Sequence, residues 1–365
     1  MPRLWEIKMR TKRKIPVISI SLILFSLILL VVSFVARASY AFSDVFERNI
    51  SSYLRYLVGR LTDWFSFSLF EVFIILLPVL IGGLIFLAVR AFKRRRKSIF
   101  LLRLFAFVSL VFSLYTLTTG ISYHTTPIAE RVGLDVTEDI TAEDIAKATG
   151  TVIEEINSLK DSLTYFDGEM RMKYSFGELS EKISEAYEIF NRDEQLFLDY
   201  ESVAKPIRAS GTMTAFRLSG IYTFYTGEAN INMAYPDYCL PFTVAHELAH
   251  ARGIMREDEA NFVAFLVCIG SPDPFIRYSG YVNILEYLMS AIYNMDKEKY
   301  NVLYEMIDEK VISDIRAASA VSKKYRNTFI GNLSNRLNDM YLKANGTAGT
   351  VSYGMVTRLA VAYYR

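Results

Sequence analysis

Three long apolar runs in the first third of the chain constrain its fold more than any other feature. Ile15 to Ala36 carries no charged residue, and at a rise of about 1.5 Å per helical residue it can cross a hydrocarbon layer of about 30 Å. Val72 to Val89 is a second uncharged run, with Glu71 the one intruder at its entrance, and Leu104 to Tyr123 is a third. Peptide groups in hydrocarbon must find their hydrogen bonds within the segment, so such runs fold as helices. The expectation is a membrane anchor over 1–123, with spans near 15–36, 70–90 and 102–123, and a second domain over 124–365. The lipid bilayer is the expected partner. The spans also account for an apolar content of 52% and an aromatic content of 14%, both high for a soluble domain.

Lysine and arginine set the expected orientation. Arg3, Lys8, Arg10, Lys12, Arg13 and Lys14 precede the first run, and Arg90, Lys93, Arg94, Arg95, Arg96 and Lys97 lie between the second and third. The intervening 38–70 loop holds only Arg48, Arg55 and Arg60. Basic loops stay cytoplasmic, which sends everything after Tyr123 to the outer side. An alternative for the first run is a cleaved signal peptide ending near Ala36-Arg37-Ala38, and it leaves the rest of the topology unchanged. With 41 basic against 39 acidic residues, nothing in the overall charge points to nucleic acid.

From His124 onward the pattern predicts a mainly helical α+β domain. Helical periodicity covers 142–161 (opened by a capping box at Thr141), 178–190, 242–252, 258–269, 278–294, 297–315 and 328–344. The persuasive strand region is Thr212 to Asn232, around Gly220 and Gly227. Cys239 and Cys268 are too few for a disulfide framework; they are read as small buried residues, a single bridge being the alternative.

The chemistry is concentrated at His246-Glu247-Leu248-Ala249-His250. Histidines four apart share a helix face and can grip one ion. Glu247, next to the first, is placed to act as general base toward a water at that ion. The flanking Phe242, Val244, Ala245, Leu248 and Ala249 are apolar, as a buried ligand helix needs, and the chain has only three histidines. A third ligand is expected beyond Gly253, where the helix can end in a left-handed cap. On an unbroken helix Glu257 would lie about 10 Å along the axis from His250, too far for one ion. A reversal at Gly253 lets the acidic cluster Glu257-Asp258-Glu259 bring a carboxylate back. Two histidines and one carboxylate leave a position open, the mark of a catalytic Zn²⁺.

This arrangement resembles the gluzincin metallopeptidases, whose HExxH helix is followed by a helix carrying ExxxD or ExxxN. The matching residues here are Glu257 and Asn261. The resemblance implies a zincin-like fold, Glu257 as ligand, and Asn261 as the residue that orients a ligand histidine. The interval between the two helices is shorter than the family pattern, which leaves Glu259 as an alternative ligand. Over nearly its whole length the chain also resembles a family of bacterial membrane proteins of unknown function, DUF3810. That resemblance is carried by the three runs, Tyr225 to Asn232, HELAHARGIMREDEANF at 246–262, and Tyr341 to Gly346 with Ser352 to Gly354. It implies a bacterial cytoplasmic membrane and no known substrate.

The fold expected is therefore a membrane α-helical part with three N-terminal spans plus a mainly helical α+β zincin-like extracytoplasmic domain. The function expected is a membrane-anchored zinc-dependent metallopeptidase acting on a protein or peptide. The alternative is a catalytically inactive metal-binding receptor or scaffold in the cell envelope. Thr226, Gly227, Glu228, Ala229 and Asn230 form a candidate substrate strand, equally readable as an ordinary strand with a glycine turn. Tyr278, Tyr281, Tyr287 and Tyr353 are oxyanion candidates by residue type, and His124 reads as an interfacial residue rather than a ligand.

Overall fold

The structure, a computed structural model, describes residues 16–136, 139–166, 169–324, 328–347 and 353–365. The basic residues Arg3 to Lys14, Ser352 and the Tyr353 side chain lie outside this description. Three helices are long and apolar enough to cross a membrane: Val17–Ala38, Leu69–Lys93 and Lys97–His124. The third ends in a π-type turn, Thr116–Gly120. It begins earlier than its apolar core because Lys97 to Arg103 continues the helix without a breaker. The first and third spans pack together through Ser26 and Ala36 on one and Ala106, Ser109 and Ser113 on the other, small residues that let helices approach closely. The second span buries none of its residues. Its exposed Phe73, Ile75, Leu80 and Phe86 suit lipid rather than water, so the chain associates with a bilayer through these helices.

The segment between the first two spans is helical rather than a loop, with Tyr40–Phe46 and Ser52–Thr62 joined by a π-type turn at Glu47–Ser51. It tucks beneath the rest of the protein. Glu71, the intruder at the start of the second span, accepts from the backbone amides of Arg208 and Ala209 and so sits at a polar junction.

Beyond the spans a helical body forms. Helix Ala142–Leu159 opens with the expected Thr141–Asp144 capping box, and Phe176–Glu194 with a Ser175–Glu178 box. Cys239–Ala251, Glu257–Ile269 and Pro274–Met295 meet in a core that includes Leu248, Phe262, Phe265, Tyr278, Ile284 and Leu285, each at most 1% exposed. A closing helix, Tyr353–Tyr364, packs on the last two of these and was not predicted. The 297–315 pattern divides into Lys297–Glu305 and Glu309–Lys323. Cys239 and Cys268 are unpaired.

The small sheet departs most from expectation. Thr212 to Asn232 holds a short helix, Ser210–Ala215, and two strands, Gly220–Thr223 and Glu228–Asn232. A further strand, Ala204–Ile207, pairs parallel with Glu228–Asn232, whose other side pairs antiparallel with Gly220–Thr223. Glu228–Asn232 is thus the central strand and Gly220–Thr223 an edge.

Candidate metal centre

The histidine helix, Cys239–Ala251, is held by its apolar flanks: Val244, Ala245, Leu248 and Ala249 are fully buried. It ends at Gly253, whose φ of +97° favours glycine. The Gly253 amide donates to the His250 carbonyl at 3.0 Å and the Ile254 amide to the Ala249 carbonyl at 3.0 Å, the bonds of a left-handed helix end. The last carbonyl, of Ala251, accepts from Arg55 Nε at 3.1 Å and the Tyr200 hydroxyl at 2.6 Å. Four residues after Gly253 the next helix starts with Glu257, Asp258 and Glu259 in its first turn, where the helix dipole favours negative charge.

The reversal brings three donors together. One oxygen of Glu257 is 3.3 Å from His246 Nε2 and the other 3.8 Å from His250 Nε2. One ligand atom from each of the three lies within 4.8 Å of the others. Nδ1 of His250 faces the Ile254 carbonyl at 2.7 Å; donating there leaves Nε2 with a free lone pair toward the cluster. Burial, aided by the neighbouring charge on His246, takes His250 down to about 4. For His246 burial opposes the charge, but the hydrogen bond and charge of Glu257 raise it. Burial likewise opposes ionisation of Glu257, yet its bond to His246 and the two histidines hold it well below the usual carboxylate range. Both shifts favour a proton shared between His246 Nε2 and Glu257, 3.3 Å apart. Two imidazole nitrogens and a carboxylate oxygen, converging and preset, fit a metal ion.

Glu247 stands beside this cluster with its Oε2 buried and unpartnered. Burial pushes its carboxyl up to about 8, against the pull of His246 and the Tyr222 amide. Gly220 of the edge strand lies directly over it: a Cβ there would be 2.5 Å from Glu247 Oε1 and 2.6 Å from its Cγ. The cluster, Glu247 and the edge strand wall a cavity of about 1490 Å³ that runs on to the third span.

A family model described as "Protein of unknown function (DUF3810)" matches residues 46–361. The chain belongs to the DUF3810 family. The match takes in the second and third spans together with the histidine helix and begins beyond the first span. No curated protein and no solved structure matches the chain.

The DUF3810 chain separates the two carboxylates left open as third ligand. Glu259 turns away from the histidines, accepting from the Ile128 amide at 2.8 Å and pairing with Arg256 at 2.7 Å; Glu257 alone of the two joins the cluster. Asn261, one turn on, lines the cavity and favours the charged form of His246, although His246 Nδ1 itself keeps no hydrogen bond.

The candidate substrate strand is corrected. Thr226 and Gly227 form a turn closed on the Thr223 carbonyl, and Glu228, Ala229 and Asn230 begin the central strand. Both edges of that strand are paired and all five of its residues are buried, so no extended peptide can add to it. Glu228 instead holds Lys205 at 2.7 Å and the Leu69 and Phe70 amides at 3.0 Å, fastening the start of the second span. The free edge beside the site belongs to Gly220–Thr223.

Among the tyrosines, Tyr278 is buried and donates to Asp314 at 2.7 Å, and Tyr281 packs beside Phe265; neither lines the cavity. Tyr287 does, together with six that residue type did not single out, Tyr115, Tyr123, Tyr222, Tyr225, Tyr235 and Tyr341. The Tyr123 hydroxyl donates to that of Tyr341 at 3.2 Å, and burial keeps Tyr341 protonated, with its own hydrogen left to give elsewhere. His124 sits at the end of the third span near Gly346 and joins no ligand cluster among the described residues. Gly220 and Tyr222 escaped notice because their roles depend on which strand is the edge. Arg217, also on the cavity wall, is a non-glycine residue with a φ of +61°.

Proposed function

We propose that this DUF3810 protein is a membrane-anchored zinc-dependent metallopeptidase. The reading rests on one observation: His246, His250 and Glu257 converge beside a buried Glu247 carboxyl whose Oε2 has no hydrogen-bond partner, at the wall of an open cavity. His246, His250 and Glu257 would hold the zinc, which when bound supplies Lewis-acid polarisation of a carbonyl and acidifies a water. A cation beside Glu247 favours its carboxylate form. Glu247 then takes a proton from the attacking water and returns it to the leaving amine nitrogen. An extended peptide aligns on the free edge of Gly220–Thr223 through backbone hydrogen bonds. Tyr341, which accepts from Tyr123, supplies a hydroxyl donor on the cavity wall. The basic 90–97 link supports a site on the outer side of the cytoplasmic membrane by the positive-inside rule, and the two ligand helices support a zincin-like domain.

The test compares cells carrying wild-type protein with cells carrying Glu247→Gln. Purified Glu247→Gln should keep about one zinc per chain while membrane-proximal cleavage products present in wild-type cells vanish. A biological effect that survives Glu247→Gln unchanged replaces the peptidase by the inactive receptor or scaffold.

A further inference from the structure

The cavity at the metal centre is not confined to the polar domain. One end is walled by His246, Glu247 and Glu257; the other by Phe107, Val108, Val111 and Phe112 of the third span. The span runs 28 residues to His124, roughly 42 Å, so a hydrocarbon layer of about 30 Å centred on it puts 107–112 close to mid-depth. Tyr123, which also lines the cavity, is sixteen residues past Phe107 and therefore roughly 24 Å along the helix axis. Phe107 and Val108 keep 62% and 55% of their surface uncovered by protein, a face that in a membrane only hydrocarbon covers. A single continuous cavity thus joins a free strand edge and a hydrolytic carboxylate to an acyl-like environment. Extended backbone is costly at that depth, whereas an alkyl chain has no polar groups to satisfy. Each methylene buried along Phe107–Phe112 contributes about 0.8 kcal/mol.

We propose that the substrate is a lipid-anchored peptide. Its acyl chain lies on the third span over 107–112, and its polypeptide runs along Gly220–Thr223 past Glu247. The second half of this proposal rests on the peptidase reading; the first does not. Water added across the peptide C–N bond leaves a carboxylate on one fragment and an amine on the other, and the acyl chain stays on its fragment in the membrane.

The test uses zinc-loaded Glu247→Gln protein in lipid nanodiscs and a pool of mixed-sequence hexapeptides, each N-acylated with a palmitoyl chain bearing a terminal diazirine. Irradiation should label peptides spanning 107–112. Excess palmitoylated hexapeptide should compete and the N-acetylated pool should not. Val111→Trp should cut labelling about tenfold with zinc content unchanged. Equal labelling of all three spans, equal labelling by diazirine palmitic acid alone, or equal competition by the acetylated pool overturns the proposal. Stronger competition by a membrane-spanning helical peptide reassigns the face to that class and also overturns it. The two readings fail separately. If wild-type protein cuts acetylated peptides but 107–112 is not labelled, the acyl site falls alone; if labelling is specific but wild-type protein cuts nothing, the peptidase falls and the acyl site stands.

Discussion

Replacing Gly220 by alanine isolates the position of Glu247, the general base of the proposed reaction. The new Cβ would stand 2.5 Å from Glu247 Oε1, 2.6 Å from Cγ and 2.9 Å from Cδ. Ordinary contact begins near 3.4 Å, so the Glu247 side chain has to retreat by about 0.9 Å. A misplacement of about 1 Å at a reacting group costs on the order of 100-fold in rate, equivalent to about 2.7 kcal/mol of barrier. The backbone itself tolerates the change, because Gly220 is not in the left-handed region. Fewer unfolded conformations should even add about 0.4–1 kcal/mol of stability where the clash is relieved by side-chain movement alone. The expected result is a kcat lowered about 100-fold on a substrate found by the proteomic comparison, with KM, zinc content and Tm near wild type. The reduction should shrink against a Glu247→Asp background, where the shorter side chain has already left the space. Wild-type kcat in Gly220→Ala protein would show that Glu247 acts from another position, or not at all.

Three further outcomes follow from the same contacts. Glu257→Ala should strip the zinc, whereas Glu259→Gln should keep it at full occupancy while losing about 1.5–3 kcal/mol of stability from the charge-assisted bonds to Ile128 and Arg256; zinc loss in Glu259→Gln reverses the ligand choice. Glu228→Gln leaves Lys205 buried without its carboxylate and sets an NH2 in place of one of the two oxygens that accept from Leu69 and Phe70, so thermal unfolding in detergent should show a loss of about 3–5 kcal/mol, partly recovered by adding Lys205→Met. Zinc binding should release protons: Glu257 raises His246, so at pH 6.5, where a free imidazole is half charged, more than half a proton per ion should leave. The sign also requires affinity to weaken as pH falls through that range. Calorimetry in two buffers of different ionisation enthalpy measures the release, and zero release contradicts the shared proton between His246 and Glu257.

What was legible in the sequence was what short-range geometry encodes. Histidines four apart, a glycine needing a left-handed φ and an acidic turn after it are local statements, and the structure assembles His246, His250 and Glu257 through that reversal at Gly253. Apolar runs of span length are local too. The edge of the sheet is not: Glu228–Asn232 became central because Ala204–Ile207, far back in the chain, took its other side. Without that pairing the Tyr225–Asn232 stretch reads as well for an edge. The direction of Glu259 was equally hidden, since it is set by Ile128 and Arg256 rather than by its helical position. The segment between the first two spans passed for a loop because its helices are short and only weakly apolar, and Arg55 gives no sign in sequence of being 2% exposed.

That segment changes what the membrane part is for. Two glycines in the left-handed region close onto it. A Cβ on Gly227 would fall 2.8 Å from the Gly59 amide nitrogen, and one on Gly253 would collide with Arg55 and Glu47. Gly253 sets where Glu257 returns to the histidines, and Gly227 sets the turn between the edge and central strands. Arg55 also reaches the Thr118 carbonyl at 2.7 Å at the end of the third span. The same guanidinium therefore touches the last carbonyl of the histidine helix and the span whose apolar face continues the cavity. A flexible tether would let the site tilt freely over the bilayer. Here the ligand turn and the third span share the Arg55–Glu47 ion pair and the strand turn packs on Gly59 of the same helix, so the distance from Glu247 to the hydrocarbon is built into the fold, as a site measuring its cut from a lipid anchor requires.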